Sequence, residues 1–379
     1  MFFYYQLRLI RCSYLTRQHF PRICVPRIIP SRAVARRGAT TGAQVATSAL
    51  SRQMGLVHVL GIETSCDETA AAVVGPEGIL SDVIHTQQIH EEYLGVVPEL
   101  AARAHVEKIC AVTRAALAQA GLERPDAVAA TAGPGLIGAV LVGLSFGKSL
   151  ALGWGVPFLG VNHLEGHLLS PVLESDVLDF PFLDLVVSGG HTTLYRARSL
   201  GEYEILATTV DDAAGEAYDK VARILGRGYP GGPVIDALAQ DGNPEAIAFP
   251  RPRANAVDFS FSGLKTAVRT HVMGADRKSD ADVAASFQAA VVDVLLDRVV
   301  WAVNETGIDR VALSGGVAAN SLLRARIQEL PGVDAFVPER SRCTDNGAMI
   351  AHAGRLHLLA GQRHGLAFSA RPRWQPGQA

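Results

Sequence analysis

Two stretches of this chain repeat one pattern. LGIETSCDETAAAVV (60–74) and LVVSGGHTTLYRA (185–197) each read as an apolar strand, a small-polar turn and a second strand. Each opens a half that continues into helices, so the chain is expected to form two related α/β domains with a cleft between them. The alternation predicts strands over 57–62, 69–74, 79–85, 126–131 and 157–161 in the first half. The second half should hold strands over 182–187, 192–196, 203–209 and 311–313. Helical spacing predicts helices over 98–120, 136–153, 212–225, 263–274, 282–305, from Ala318 onward and over 346–360. The uncharged stretch 127–147 has the length of a membrane span. Gly133, Pro134 and Gly135 interrupt it, and Lys148 follows, so a buried strand, a turn and a buried helix are expected, in a soluble protein with no membrane partner.

Length and apolar share support that reading: 379 residues, 48% of them hydrophobic, exclude bulk disorder. Five cysteines without a C-x-x-C pair exclude a disulfide framework and a thiolate zinc site. The net charge of −2 hides two unlike parts. Residues 1–53 carry nine arginines and no Asp or Glu; subtracting those nine from the chain's 35 cations leaves 26 against 37 acids, a net of −11. The leader reads as an organelle transit peptide or as an over-extended start before Met54, disordered either way. The first reading implies a mitochondrial or plastid matrix, the second the cytoplasm.

Glycine-rich turns stand near strand ends at AGPG (132–135), SGGH (188–191), YPGGP (229–233) and SGGVAAN (314–320). Glycine there lets backbone N–H groups approach an anion, which points to phosphate or nucleotide binding. GLSFGKS (143–149) is one residue short of a P-loop, and no G-x-G-x-x-G opens a helix. His163 and His167 sit at i and i+4, one face of a helix and chelating geometry. Glu165, at i+2, lies about 200° round from His163, so the zinc-protease pattern fails. A third ligand could come from Asp345 or from Asp67 and Glu68, a set suited to iron(II) or zinc. Asp212, Glu216 and Asp219 are expected on one helical face, and Ser262 as a helix N-cap. Arg251, Arg253, Lys265, Arg269, Arg277 and Lys278 form only a sparse basic set.

The motifs VLGIETSCDET (59–69), AGPGLIGAVLVG (132–143), NHLEGHLLSP (162–171) and LVVSGGHTTL (185–194) together resemble the bacterial TsaD family. So do DDAAGEAYDKVARILGRGYPGGP (211–233), DFSFSGLKTAV (258–268), SGGVAAN and CTDNGAMIA (343–351). These are tRNA adenosine threonylcarbamoyltransferases, once called O-sialoglycoprotein endopeptidases. The resemblance covers about residues 57–375, with Leu94 and Ser321 as departures. It implies the actin, chaperone-ATPase and sugar-kinase fold, two RNase H-like domains around a nucleotide cleft. Here these would be residues 54–165 with 340–379, and residues 166–339. It implies a divalent metal, iron(II) or else zinc, on His163, His167 and Asp345. Contacts to threonylcarbamoyl-AMP fall on Val186, Val187, Ser188, Gly189 and Gly190, and on Asp219, Gly232, Asp236 and Asn320. The acidic pair, Asp67 and Glu68, is the expected proton acceptor. The partners implied are tRNA and TsaB-like and TsaE-like proteins, in a homodimer or heterodimer. The alternatives are a small-molecule kinase of the same superfamily and, less favoured, a metalloprotease.

Overall fold

The computed structural model describes residues 56–93, 95–175, 177–252 and 257–378, so the leader, Leu94 and Arg253 lie outside it. Val59–Glu63 (β1) is an apolar run closed by a carboxylate, and all five residues are buried. It pairs antiparallel with Glu68–Gly75 (β2), which pairs with Gly78–Thr86 (β3). Pro98–Gln119 (α1) crosses to Ala127–Gly133 (β4), and Ile137–Trp154 (α2) to Phe158–Asn162 (β5). The sheet order is β3-β2-β1-β4-β5, with β1, β4 and β5 parallel. β4 and β5 are covered on both faces, which is why they read as unbroken apolar runs rather than alternating ones. His163–Glu174 (α3) then leaves the end of β5.

The second half restarts the same plan with Phe182–Val187 (β6), Thr192–Ser199 (β7) and Glu202–Thr208 (β8). Helices follow at Ala214–Ile224 (α4), Gly231–Ala239 (α5), Ser262–Met273 (α6) and Asp280–Thr306 (α7). Arg310–Ser314 (β9), Ser321–Gln328 (α8) and Asp334–Phe336 (β10) complete the sheet in the order β10-β9-β6-β7-β8. Numbered within each half, both sheets run 3-2-1-4-5, with the same antiparallel opening hairpins. The internal repeat is therefore topological. Gly347–Leu359 (α9) returns to the first sheet. There Gly61 is required: a Cβ would stand 2.3 Å from the Ala351 nitrogen. The second core gathers Tyr218, Phe259, Phe261 and Phe287, all fully buried; each such ring contributes about 1.5–3 kcal/mol by leaving water.

α2 matches the helix expected over 136–153; at 18 residues it is long and apolar enough by length and composition to cross a membrane. Lys148 lies within it, and its ammonium donates to the Phe368 carbonyl. The helix packs on the sheet through Ala139, Val140, Gly143, Leu144 and Gly147. Four expectations need correction. YPGGP is the start of α5, not a free turn: Asp219 accepts from the Gly231 amide at 2.7 Å and satisfies that helix end. The helix expected from Ala318 begins at Ser321 after a 3₁₀ turn, capped by Asn320. Asp212 precedes α4 and does not share its face; it pairs with Lys220 at 2.7 Å and Lys265 at 3.0 Å. Ser262 is likewise inside α6 rather than its cap. The Asp211 carboxylate, 51 residues away in sequence, accepts from the Phe261 and Ser262 amides.

Candidate metal centre and cleft

α3 starts where β5 stops because Asn162 Oδ1 accepts from the Leu164 and Glu165 amides at 2.9 and 3.2 Å. That start puts His163 and His167 on one face with ring centroids 4.8 Å apart. Asp345, held just before α9 by the cap residue Asn346, brings Oδ1 to 3.0 Å from His167 Nε2 and 3.6 Å from His163 Nε2. The three ligand atoms lie within 4.8 Å of one another. Both rings thus aim the same nitrogen at one carboxylate oxygen. Burial works against charge on His163, but Asp345 and Glu63 outweigh it and raise its pKa to about 9. Burial likewise pushes Asp345 up, and the two histidines more than reverse it, holding the carboxyl low. Two imidazoles and a carboxylate converging on one point have the chemistry for a divalent cation, and this donor set fits one.

Glu165 points away, as its spacing required. It accepts from Tyr203 Oη on β8 at 2.9 Å, and its Oε1 lies 2.9 Å from His357 Nε2 on α9. It is not placed to act as a protease base.

Asp67 lies in the turn after β1, and Glu68 opens β2 directly behind it. The side chains that hold that turn are not among the expected site residues. His105 Nε2 lies 3.0 Å from the Cys66 carbonyl, and His105 Nδ1 lies 2.8 Å from Thr69 Oγ1. Gln87 links His105 to His90, and its amide donates to the Asp67 carbonyl at 3.1 Å. Burial, with Asp345 and Asp67 adding to it, lifts the Glu68 carboxyl well above its ordinary range. Across the cleft, burial raises Asp219 and Tyr229, and the Asp67 charge pushes both further. The acidic turn therefore faces the α4–α5 junction.

The second half supplies backbone and caps. Val186 and Val187 are fully buried, so only their main chain can meet a ligand. Val186 packs with Leu164 and Leu168 of α3, joining β6 to the helix that carries the histidines. The Ser188 amide donates to the His191 carbonyl at 2.7 Å, which leaves Gly189 and Gly190 as the open members of that turn. A Cβ on either glycine, or on Gly232, would meet nothing within 4 Å. Asp236 and Asn320 are brought together directly, at 3.2 Å, and Asp236 also accepts from Ser321. His191 is near the histidine pair: burial lowers it to about 4, and the His163 and His167 charges add to that.

Sequence reasoning missed Glu63. It is fully buried, with Oε2 3.0 Å from His163 Nδ1. Burial raises its carboxyl, but the His163 charge and hydrogen bonds outweigh burial and lower it. The available signal was a lone acid closing an apolar strand.

Two like sheets of this order around a shared cleft define an α/β protein of the actin and sugar-kinase class. A crystal structure of full-length HypF in its phosphate- and nucleotide-bound form superposes with a TM-score of 0.57 at 16% identity, over 80% of this chain and 55% of that one. HypF of T. kodakarensis gives a TM-score of 0.56 at 18% identity, over 80% and 48%. This chain spans about half of either, and the likeness is one of fold. The family model for TsaD, tRNA N6-adenosine threonylcarbamoyltransferase, matches residues 78–352. A protein of that name from Bordetella avium (strain 197N) is 50% identical over 335 residues, 83% of this chain and 97% of the relative. Its namesake in Thermodesulfovibrio yellowstonii (strain ATCC 51303 / DSM 11347 / YP87) is 49% identical over 326 residues, 83% and 98%. The chain belongs to the TsaD family.

Proposed function

We propose that this enzyme transfers the threonylcarbamoyl group from threonylcarbamoyl-AMP to the exocyclic amine of the adenosine 3′ of the anticodon, in tRNAs reading codons that begin with A. The observation carrying this reading, in a chain of this family, is the His163–His167–Asp345 cluster beside the Asp67–Glu68 turn. The adenosine of the donor lies against Asp219, Gly232, Asp236 and Asn320, where Gly232 leaves room for close approach. Its anionic part lies along Val186–Gly190, with the amides of Gly189 and Gly190 as donors. The tRNA amine forms a bond to the carbamoyl carbon while the bond from that carbon to the phosphate oxygen breaks, and AMP leaves with the electron pair. Asp67 or Glu68 accepts the amine proton; burial with the Asp345 and Asp67 charges raises the Glu68 carboxyl, which favours its proton-bound form. His163, His167 and Asp345 would hold a divalent cation, iron(II) with zinc as the alternative, which supplies Lewis-acid stabilisation of oxygen charge.

The two lobes of this reading are residues 54–165 with 340–379, and residues 166–339. With 26 basic against 37 acidic residues from 54 onward, the body is not the polycation that phosphate contacts favour. TsaB-like and TsaE-like partners are therefore assigned the missing cations, in a cytoplasmic homodimer or heterodimer. Should residues 1–53 prove to be a cleaved transit peptide, the compartment is an organelle matrix, and the N-terminal residue of the mature protein decides it. The assay combines purified chain, companion proteins, ATP, bicarbonate, labelled threonine and tRNA. Label is expected in tRNA. Protein cleavage or sugar phosphorylation without labelled tRNA would overturn the reading.

A further inference from the structure

Glu63 lies at the end of β1, fully buried, and three donors converge on its two oxygens. The Ser65 amide donates to Oε1. Thr131 Oγ1 on β4 donates to Oε2 at 2.5 Å, and His163 Nδ1 stands 3.0 Å from that same Oε2. A carboxylate gripped from the turn, from the neighbouring strand and from α3 has no room to swing. Opposite it, His163 Nε2 faces Asp345 at 3.6 Å. The second imidazole lacks such a support: His167 Nδ1 is buried without a hydrogen-bond partner among the described residues.

We infer that Glu63 is a positioning residue: it holds the proton of His163 on Nδ1 and so keeps Nε2 bare toward the divalent cation. This rests on the metal reading above. A neutral imidazole can ligate only through the nitrogen without hydrogen, and the partner of its other nitrogen selects which one that is. Glutamine cannot replace Glu63 here. It has one oxygen for three donors, so its NH₂ group must face either the Ser65 amide or Oε2's two donors. In the second pose it donates to Nδ1, which moves the ring proton to Nε2 and spoils the ligand. In the first it leaves a buried N–H against an N–H, and the turn beside His163 must shift.

The test uses the full chain and zinc titrated against a competing chelator, with histidine ¹⁵N spectra of the zinc-loaded protein. Glu63→Gln is expected to weaken zinc about 10- to 100-fold, the usual effect of losing such a support. The Nδ1–H signal of His163 should be lost while the metal-free protein stays folded. Thr131→Val, which removes one donor to Oε2, should weaken zinc less and in the same direction; Thr131→Ser, which keeps the hydroxyl, should restore it. Zinc affinity within about twofold of wild type in folded Glu63→Gln, with the Nδ1–H signal retained, overturns the inference. If Glu63→Gln does not fold, the Thr131 pair decides, and equal affinity for Thr131→Val and wild type overturns it. A wild type that binds no zinc, or binding that survives His163→Ala, overturns the metal reading and this one together.

Discussion

Where β1 ends, the first half places a buried carboxylate, an acidic turn and, across the sheet, two histidines. Where β6 ends, the second half places Ser188 and two glycines whose Cβ positions are open space. One strand order thus carries side-chain chemistry on one side of the cleft and bare backbone with helix caps on the other. The leading strands differ in the same sense. Glu63 on β1 has three donors, whereas Asp184 on β6 accepts only from Ser314 Oγ at 2.9 Å, and its Oδ1 has no partner among the described residues. One strand order, used twice, thus gives two cleft walls of unlike chemistry.

The sharpest way to break this contrast is to remove chemistry from the first wall. Asp67→Asn or Glu68→Gln, whichever residue takes the proton, should lower the transfer rate about 10²- to 10⁴-fold with the donor still bound. Full single-turnover transfer by both variants would remove the acidic turn from the reaction. His163→Ala should weaken metal retention by about 100-fold or more, since even a supporting residue is worth about 10- to 100-fold. Metal content measured after dialysis checks it, and unchanged content rejects the ligand assignment.

On the second wall the expected effects concern stability and binding. Burial raises the Asp184 carboxyl to about 8, with the Ser314 hydrogen bond opposing. The native state then keeps a proton that the unfolded chain releases near pH 4, so stability declines as pH rises from about 4 to 8, by roughly 1 kcal/mol per pH unit. Asp184→Asn should flatten that decline in urea melts between pH 5 and 8; an unchanged slope would place the titration elsewhere. The adjacent glycines Gly231 and Gly232 separate stability from binding. A Cβ at Gly231 would stand 2.6 Å from Asp219 Cα, so Gly231→Ala should cost about 1–3 kcal/mol. Gly232→Ala should leave the melting temperature in place and raise the KM for the adenylate. Equal melting shifts in the two variants would show that no such division exists.

Much of this was legible because it is local. The histidine pair and each glycine turn announce themselves within a few residues of chain. β1, β4, β5 and β6 read as strands because they are buried throughout. The rest is long-range. His163 meets Glu63 across 100 residues of chain, and Asp211 caps a helix that starts 51 residues later. No periodicity reports such a meeting. The YPGGP turn misled for a related reason: glycine and proline punctuate a chain, but here a distant-facing carboxylate, Asp219, turns that punctuation into a helix start.

The bond from Tyr203 to Glu165 has a mechanical consequence. Glu165 shares a rigid helix with His163 and His167 but faces the other way, tied to β8 and, through His357, to α9. α3 is therefore fastened on both faces: one brings its imidazoles to Asp345, the other is tied to a strand edge and to a helix far along the chain, so the spacing of the histidine pair is set from two sides at once.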